Sequence, residues 1–316
     1  MRIALGLLMA AGFVVPATGT AATTVAPSGV PAIDVASPLR TRVGAPEPSI
    51  VAAYADAGAS DIHVHVLTDA EWARFDTALA RLPALHRRIL QRHLKRLSFL
   101  DLKPGAGSAL TARIGEGTGE DAAFSITLRA SLLDESLASF LGTKEANLFA
   151  DDGTGQHLQV EAGALDALTY VLLHEATHVV DQVLGLTADS HAPLMAGVWE
   201  SARQPVAAQA SSLALQTGFR RAPKIPLGKA PAYYQALAAS PFVSFYATAA
   251  APEDIAELFA WQQLSACATQ AVNVQIRDAA GQVVFTYAPL ANRVATARFT
   301  QVQQVLGVQG CAGRWA

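Results

Sequence analysis

Two histidines four residues apart with a glutamate beside the first, His174, Glu175 and His178, stand inside the stretch "ALTYVLLHEATHVVDQVLGL". The chemistry this spacing suits is metal-dependent hydrolysis. On a helix, positions i and i+4 lie one above the other on a single face, so both imidazoles can reach one ion at about 2.0–2.1 Å. Glu175 is turned one residue round the helix. It is displaced from the ligand shell yet close to a water held there, which is where a general base acts. Two histidines satisfied in a core would share the spacing. The flanks "ALTYVLL" and "VVDQVLGL" are apolar enough to bury the helix, and buried polar groups need partners. A metal ion is the economical one.

A catalytic zinc takes three protein ligands and leaves one position open. The metzincin extension would require glycine at 181 and histidine at 184, where this chain has Asp181 and Leu184, so that branch is excluded. A carboxylate from a second helix is the other solution, and "APEDIAELFAW" supplies Glu253 and Glu257 at i and i+4 behind Pro252. One of them can bind the metal while the other takes the free N–H of a ligating histidine. The spacing leaves open which does which. An acidic first turn complementing the helix dipole is the bland alternative. Asp181, on roughly the same side as His174, is a further carboxylate for the outer shell, and His191 is an alternative third ligand. His63 and His65 in "DIHVHVL" fall on one side of a strand, either as a second metal site or as a polar face.

"HEATH" followed at a distance by "FYATAAAPEDIAELFA" resembles the gluzincin-type zinc metallopeptidases, particularly bacterial proteins similar to the anthrax lethal factor catalytic domain. The resemblance implies an HExxH helix, then a tyrosine, then an E-x-x-A-E helix. It carries His174, His178 and Glu253 over as zinc ligands, Glu175 as the base, Glu257 as outer-shell support and Tyr246 as hydrogen-bond donor to the developing oxyanion. It covers about thirty residues in two segments, so it speaks to fold and mechanism more than to substrate. His178 and Glu253 are further apart than in the family's compact members, which implies that residues 187–245 form an insertion framing the cleft. Trp199, Tyr233 and Tyr234 lie within it, as cleft lining or as plain packing. By analogy with zincins, "FSITLRASL" is expected to be the sheet edge along which an extended peptide lies.

These residues need a scaffold, and the rest of the chain describes one. Thr68 with Glu71 makes a capping box, so a helix starts there. Pro83 divides the apolar-periodic stretch from 68 to 97 into two helices. "AFSITLRASLL" alternates like a strand after the loops "KPGAGS" and "GEGTGED". The glycines 115, 117 and 119 lack the residues of a phosphate cradle and read as solvent loop. Residues 162–186 and "APEDIAELFAWQQL" are helical, "VNVQIRDAAGQVVFTYAP" is a hairpin, and a last helix begins near Ala291. The fold class is α+β, mostly helical with a small sheet, which the resemblance refines to a zincin-like metallopeptidase domain.

The chain opens with Arg2, an apolar run from Ile3 to Val15, Pro16 and small residues around Ala21 and Ala22. That is the layout of a secretory signal peptide over 1–22. Its apolar run is shorter than the roughly twenty residues of a membrane span. Residues 23–48, rich in Ala, Thr, Ser and Pro, predict a disordered or extended lead-in, with order from Ser49 and a single domain over 49–316. Export to periplasm or medium exposes Cys267 and Cys311 to oxidation. A disulfide between them would stabilise by about 3–4 kcal/mol. With a net charge of −3 there is no basic surface for nucleic acid. The expected partner is a peptide or protein substrate, and the expected cofactor one Zn2+.

Overall fold

The computed structural model describes residues 33–103, 107–308, 310, 311 and 315; the expected signal peptide lies outside them. The first half runs α1 (Pro48–Asp56), β1 (His63–Val64), α2 (Asp69–Arg81), α3 (Ala84–His93), β2 (Leu94–Asp101), β3 (Ala109–Ile114), β4 (Ala123–Arg129), α4 (Leu137–Ala146), β5 (Phe149–Ala150) and β6 (His157–Glu161). Then follow α5 (Ala167–Leu184), α6 (Ala207–Ala210), β7 (Ile225–Pro226), α7 (Ala230–Ala238), α8 (Ala251–Cys267), β8 (Asn273–Arg277), β9 (Val283–Tyr287) and α9 (Arg293–Leu306). Helices and small sheets make an α+β fold.

Thr68 and Glu71 form the expected capping box, and the α2–α3 break falls at Leu82 and Pro83. The second helix, however, stops at His93, and the expected helical stretch to Leu97 is the start of β2. There Leu97 and Phe99 face the main core while Leu100 joins a smaller cluster with Ile50 and Tyr54, so alternation between two buried faces overrides helical spacing. The sheet order is β1-β2-β4-β3, with β2 and β4 parallel and β3 antiparallel to β4. This corrects the expectation for "FSITLRASL". β4 is an interior strand, and its continuous burial from Ala123 to Leu128 reflects cover on both faces. The edge is β3. A second sheet joins β6 to the expected hairpin in the order β6-β8-β9.

The lead-in is also docked further back than its composition suggests. Arg42 is buried, and its guanidinium donates to the carbonyls of Leu90, Gln91 and Leu94 at the end of α3 and to that of Asp34. A cation there complements orphan helix carbonyls. Residues 187–245 are likewise part of the core and not an appendage, contributing Leu194, Met195, Trp199, Tyr234, Phe242 and Val243 to the cluster that runs from Leu67 to Trp315.

At the centre α5 packs on α8. Every residue of α5 from Ala167 to Asp181 is buried, as is nearly all of α8. Apolar flanks on all sides make such helices core elements, and their few polar side chains must be satisfied internally. Cys267, the last residue of α8, is disulfide-bonded to Cys311, with Cα atoms 5.2 Å apart. Among the described residues no helix is long and apolar enough to cross a membrane.

Candidate metal centre

Asp166 starts α5 by accepting a hydrogen bond from Thr169 N at 2.6 Å and is itself held by Arg81 at 2.5 Å; Gly185, in the left-handed region at φ 68°, ends the helix. Between these caps the i, i+4 geometry brings the rings of His174 and His178 edge to face, and their Nε2 atoms are 3.1 Å apart. The Nε2 atoms face one another. Together with a Glu175 carboxylate oxygen, their ligand atoms lie within 4.8 Å of one another, a buried group that could hold a metal ion.

The opposing wall is the first turn of α8. Pro252 is at its second position, where no intrahelical N–H is missed, and Glu253 follows at the third. Glu253 Oε2 lies 3.1 Å from His174 Nε2 and 3.4 Å from His178 Nε2. Three donor atoms therefore form a triangle with sides of 3.1, 3.1 and 3.4 Å. Tetrahedral ligation at about 2.0–2.1 Å places ligand atoms about 3.3–3.4 Å apart, so the residues present fit a zinc-sized cation. Protons alone fit less well. Two imidazole nitrogens and a carboxylate oxygen converging on one point cannot all be satisfied by the one shared proton that a short N–N contact allows.

Glu257, one turn further on, is occupied elsewhere. Its Oε1 accepts from the Tyr170 hydroxyl at 2.7 Å and its Oε2 from Ser244 at 2.5 Å and Trp261 Nε1 at 3.3 Å, while Lys144 Nζ stands 3.5 Å from Oε1. The same Oε1 lies 3.2 Å from His174 Nδ1, within ion-pair range though not aligned as a hydrogen bond. Glu253 thus faces the histidines' Nε2 side and Glu257 the Nδ1 side of His174.

The electrostatics follow from this packing. Burial opposes a charge on His174, but the hydrogen bond to Glu253 and the close negative charges of Glu253 and Glu257 outweigh it and raise its pKa to about 9. Burial would raise both carboxyls; His178 and His174 hold Glu253 well below the usual range, and Lys144, His174 and Ser244 do the same for Glu257.

Glu175 points to the edge strand, where Thr111 Oγ1 donates to its Oε2 at 2.7 Å. Tyr246 stacks on His174 with centroids 5.7 Å apart, and Lys144 Nζ sits 3.7 Å from its ring centroid. Its hydroxyl is enclosed, and burial, Glu253 and Glu175 push its pKa well above 10. The turn carrying it is shaped by Ser244, whose hydroxyl accepts from Ala247 N at 3.1 Å. Behind α5, Thr177 gives its hydroxyl proton to Leu173 O and so accepts from His86 Nε2 at 3.1 Å; His86 in turn stacks on Phe259 of α8.

Other expected residues lie apart from the centre. Asp181 uses its carboxylate on the Thr187 amide and hydroxyl, at 2.8 and 2.7 Å, closing the turn after α5, and it feels His178 only through that residue's charge. His191 is exposed and pairs with Asp189. His65 bridges Asp101 and Glu71 with its two ring nitrogens, and among the described residues it forms no metal-binding group with His63. Trp199 and Tyr234 are buried, donating to Asp254 and Glu145. Sequence reasoning missed Thr111, Lys144, Tyr170 and Ser244. Thr111, Lys144 and Ser244 are far from "HEATH" along the chain and carry no motif; Tyr170, one turn before His174 on α5, reads as one more apolar-face aromatic until Glu257 packs against it.

The centre is enclosed. His174, His178 and Glu253 are each 4% exposed, Tyr246 3% and Glu175 2%. Comparisons of the chain with protein-family models, with curated proteins and with solved structures return no match.

Proposed function

We propose that the chain is an exported zinc-dependent metallopeptidase of the gluzincin type, hydrolysing peptide bonds in a peptide or protein substrate. The observation that carries this reading is the triangle of His174 Nε2, His178 Nε2 and Glu253 Oε2, with Glu175 beside it. The resemblance of "HEATH" and "FYATAAAPEDIAELFA" to that family supports it, as does an antiparallel edge strand beside Glu175.

His174, His178 and Glu253 would hold the zinc, which polarises the scissile carbonyl and acidifies the attacking water. Glu257 orients His174 from the Nδ1 side, fixing which ring nitrogen faces the metal. Glu175 takes the water's proton and returns it to the departing amine nitrogen; the Thr111 hydroxyl aims its carboxylate. Tyr246 keeps its phenolic proton and donates it in a hydrogen bond to the oxyanion.

One observation favours a second reading. Burial of all five residues suits a structural zinc site in a non-catalytic, partner-binding protein. Two measurements separate them. Metal analysis of purified protein is expected to give one zinc per chain, lost in His174→Ala; a wild type that takes up no zinc ends both readings. At matched zinc occupancy, Glu175→Gln is expected to cleave a peptide library at least 100-fold more slowly than wild type. Equal rates would remove Glu175 as base, and zinc binding without any cleavage by wild type would leave the structural reading.

A further inference from the structure

The enclosure of the centre raises the question of which element moves. Tyr246, stacked on the centre's His174, is touched by rings or cations from three places: His174 on α5, Lys144 on α4 and Phe219. The first two belong to helices with buried faces in the core. Phe219 belongs to the short turn Gly218–Arg220 and stands edge-on to Tyr246 with centroids 5.1 Å apart.

That turn is held by few ties. On either side Leu215 and Ile225 are anchored in the core, whereas Gln216, Gly218, Arg221, Pro223 and Lys224 are exposed. Its backbone bonds from residues 220, 221 and 222 return to Thr217 and Gly218, so the turn closes on itself. Arg220 ties it to the site. Nη1 donates to the carbonyls of Thr248 and Ala249, at 2.7 and 3.3 Å, two and three residues after Tyr246 and ahead of Glu253; Nη2 donates to Arg203 O at 3.1 Å.

Two features oppose this position. The Thr217 hydroxyl is fully buried with no hydrogen-bond partner among the described residues, and Arg221 adopts φ 65°, a region β-carbon sterics disfavour. Both groups gain on release, since Thr217 meets water and Arg221 is freed from the left-handed region. A segment whose ties to its surroundings are the Arg220 guanidinium, the Phe219 ring and the buried Thr217, with internal opposition to its own docking, is built to detach without unfolding its surroundings.

From this arrangement we propose that residues 216–224 are a strap that closes the metal centre, with Phe219 as the plug against Tyr246 and Arg220 as the latch, and that substrate enters only when it lifts. The proposal rests on the metallopeptidase reading and adds regulation of that site.

The test does not depend on catalysis. In metal-free protein, diethyl pyrocarbonate labelling of His174 and His178 is followed by mass spectrometry, with exposed His191 as internal reference. Phe219→Ala and Arg220→Met are expected to label His174 and His178 at least 10-fold faster than wild type while His191 is unchanged. Zinc-loaded variants are expected to lose metal to dipicolinate faster by a similar factor. Unchanged labelling and unchanged zinc loss would overturn the strap. If no protein binds zinc, the metallopeptidase reading fails while the labelling result still decides the strap. Should the variants fold poorly, hydrogen exchange of wild type decides instead: amides 220–222 should exchange at least 100-fold faster than those of α5 and α8. Exchange at the same rate as α5 would show that the turn opens only with the whole protein, and would refute the proposal.

Discussion

At the scale of single residues, the site is a contest between burial and charge. His174 sits between two carboxylates whose combined field exceeds the desolvation of its ring, so in metal-free protein its pKa stands at about 9, against 6.5 when unfolded. A folded-state pKa raised in this way contributes stability that is complete below about 6.5 and fades as pH rises to about 9. Glu253 and Glu257 are depressed and therefore act at the other end, losing their contribution only as pH falls below the ordinary carboxylate range. Metal-free wild type should thus lose several degrees of Tm between pH 6.5 and 9. His65, raised by Glu71 and Asp101 against its own desolvation, adds to this slope, so the comparison is with His174→Gln. A slope as steep in that variant as in wild type would count against the assignment. Legibility differed by residue here. His174, Glu175 and His178 declare themselves because one helical turn fixes their geometry. Lys144 and Thr111 do not, because their roles depend on which remote elements pack beside them.

At the scale of elements, the first turn of α8 must be held as firmly as α5, since it brings Glu253 to the histidines. Asp254, one residue on, does the holding. It is fully buried, accepts two bonds from Arg298 of α9 at 3.0 and 2.8 Å, and takes a third from Trp199 at 2.8 Å. Arg298→Met would leave that carboxylate buried with only the indole N–H, a loss of about 3–5 kcal/mol for a broken buried pair. Urea denaturation reads this directly, and a change under about 1 kcal/mol would show that the pair is not what fixes the turn. The acidic first turn was plain in the sequence. Its partner was not, because nothing in the spacing links Arg298 to Asp254.

At the scale of the whole molecule, α8 is stapled at its far end by Cys267–Cys311, across a sequence separation of 44 residues. Tail and helix also share a backbone bond from Trp315 N to Cys267 O at 2.9 Å. The Cys267→Ser/Cys311→Ser double variant is expected to lose about 3–4 kcal/mol to urea, on the loop-entropy account, and, on the proposed zinc site, to keep the zinc content of wild type. Loss of zinc in that variant would mean that the staple reaches Glu253 through α8.

What the sequence determined by itself was local: a capping box at Thr68, a break at Pro83, the pairing of the only two cysteines, and a helix whose turn aligns His174 with His178. These follow from interactions spanning four residues or from elimination. The tertiary structure decided the rest. It ended a helix at His93 because alternate residues of β2 had two cores to enter, made β4 interior and β3 the edge, and turned Glu253 to the histidines' Nε2 side and Glu257 to His174 Nδ1. Such choices depend on which surfaces meet, and that is fixed only when the whole chain has packed.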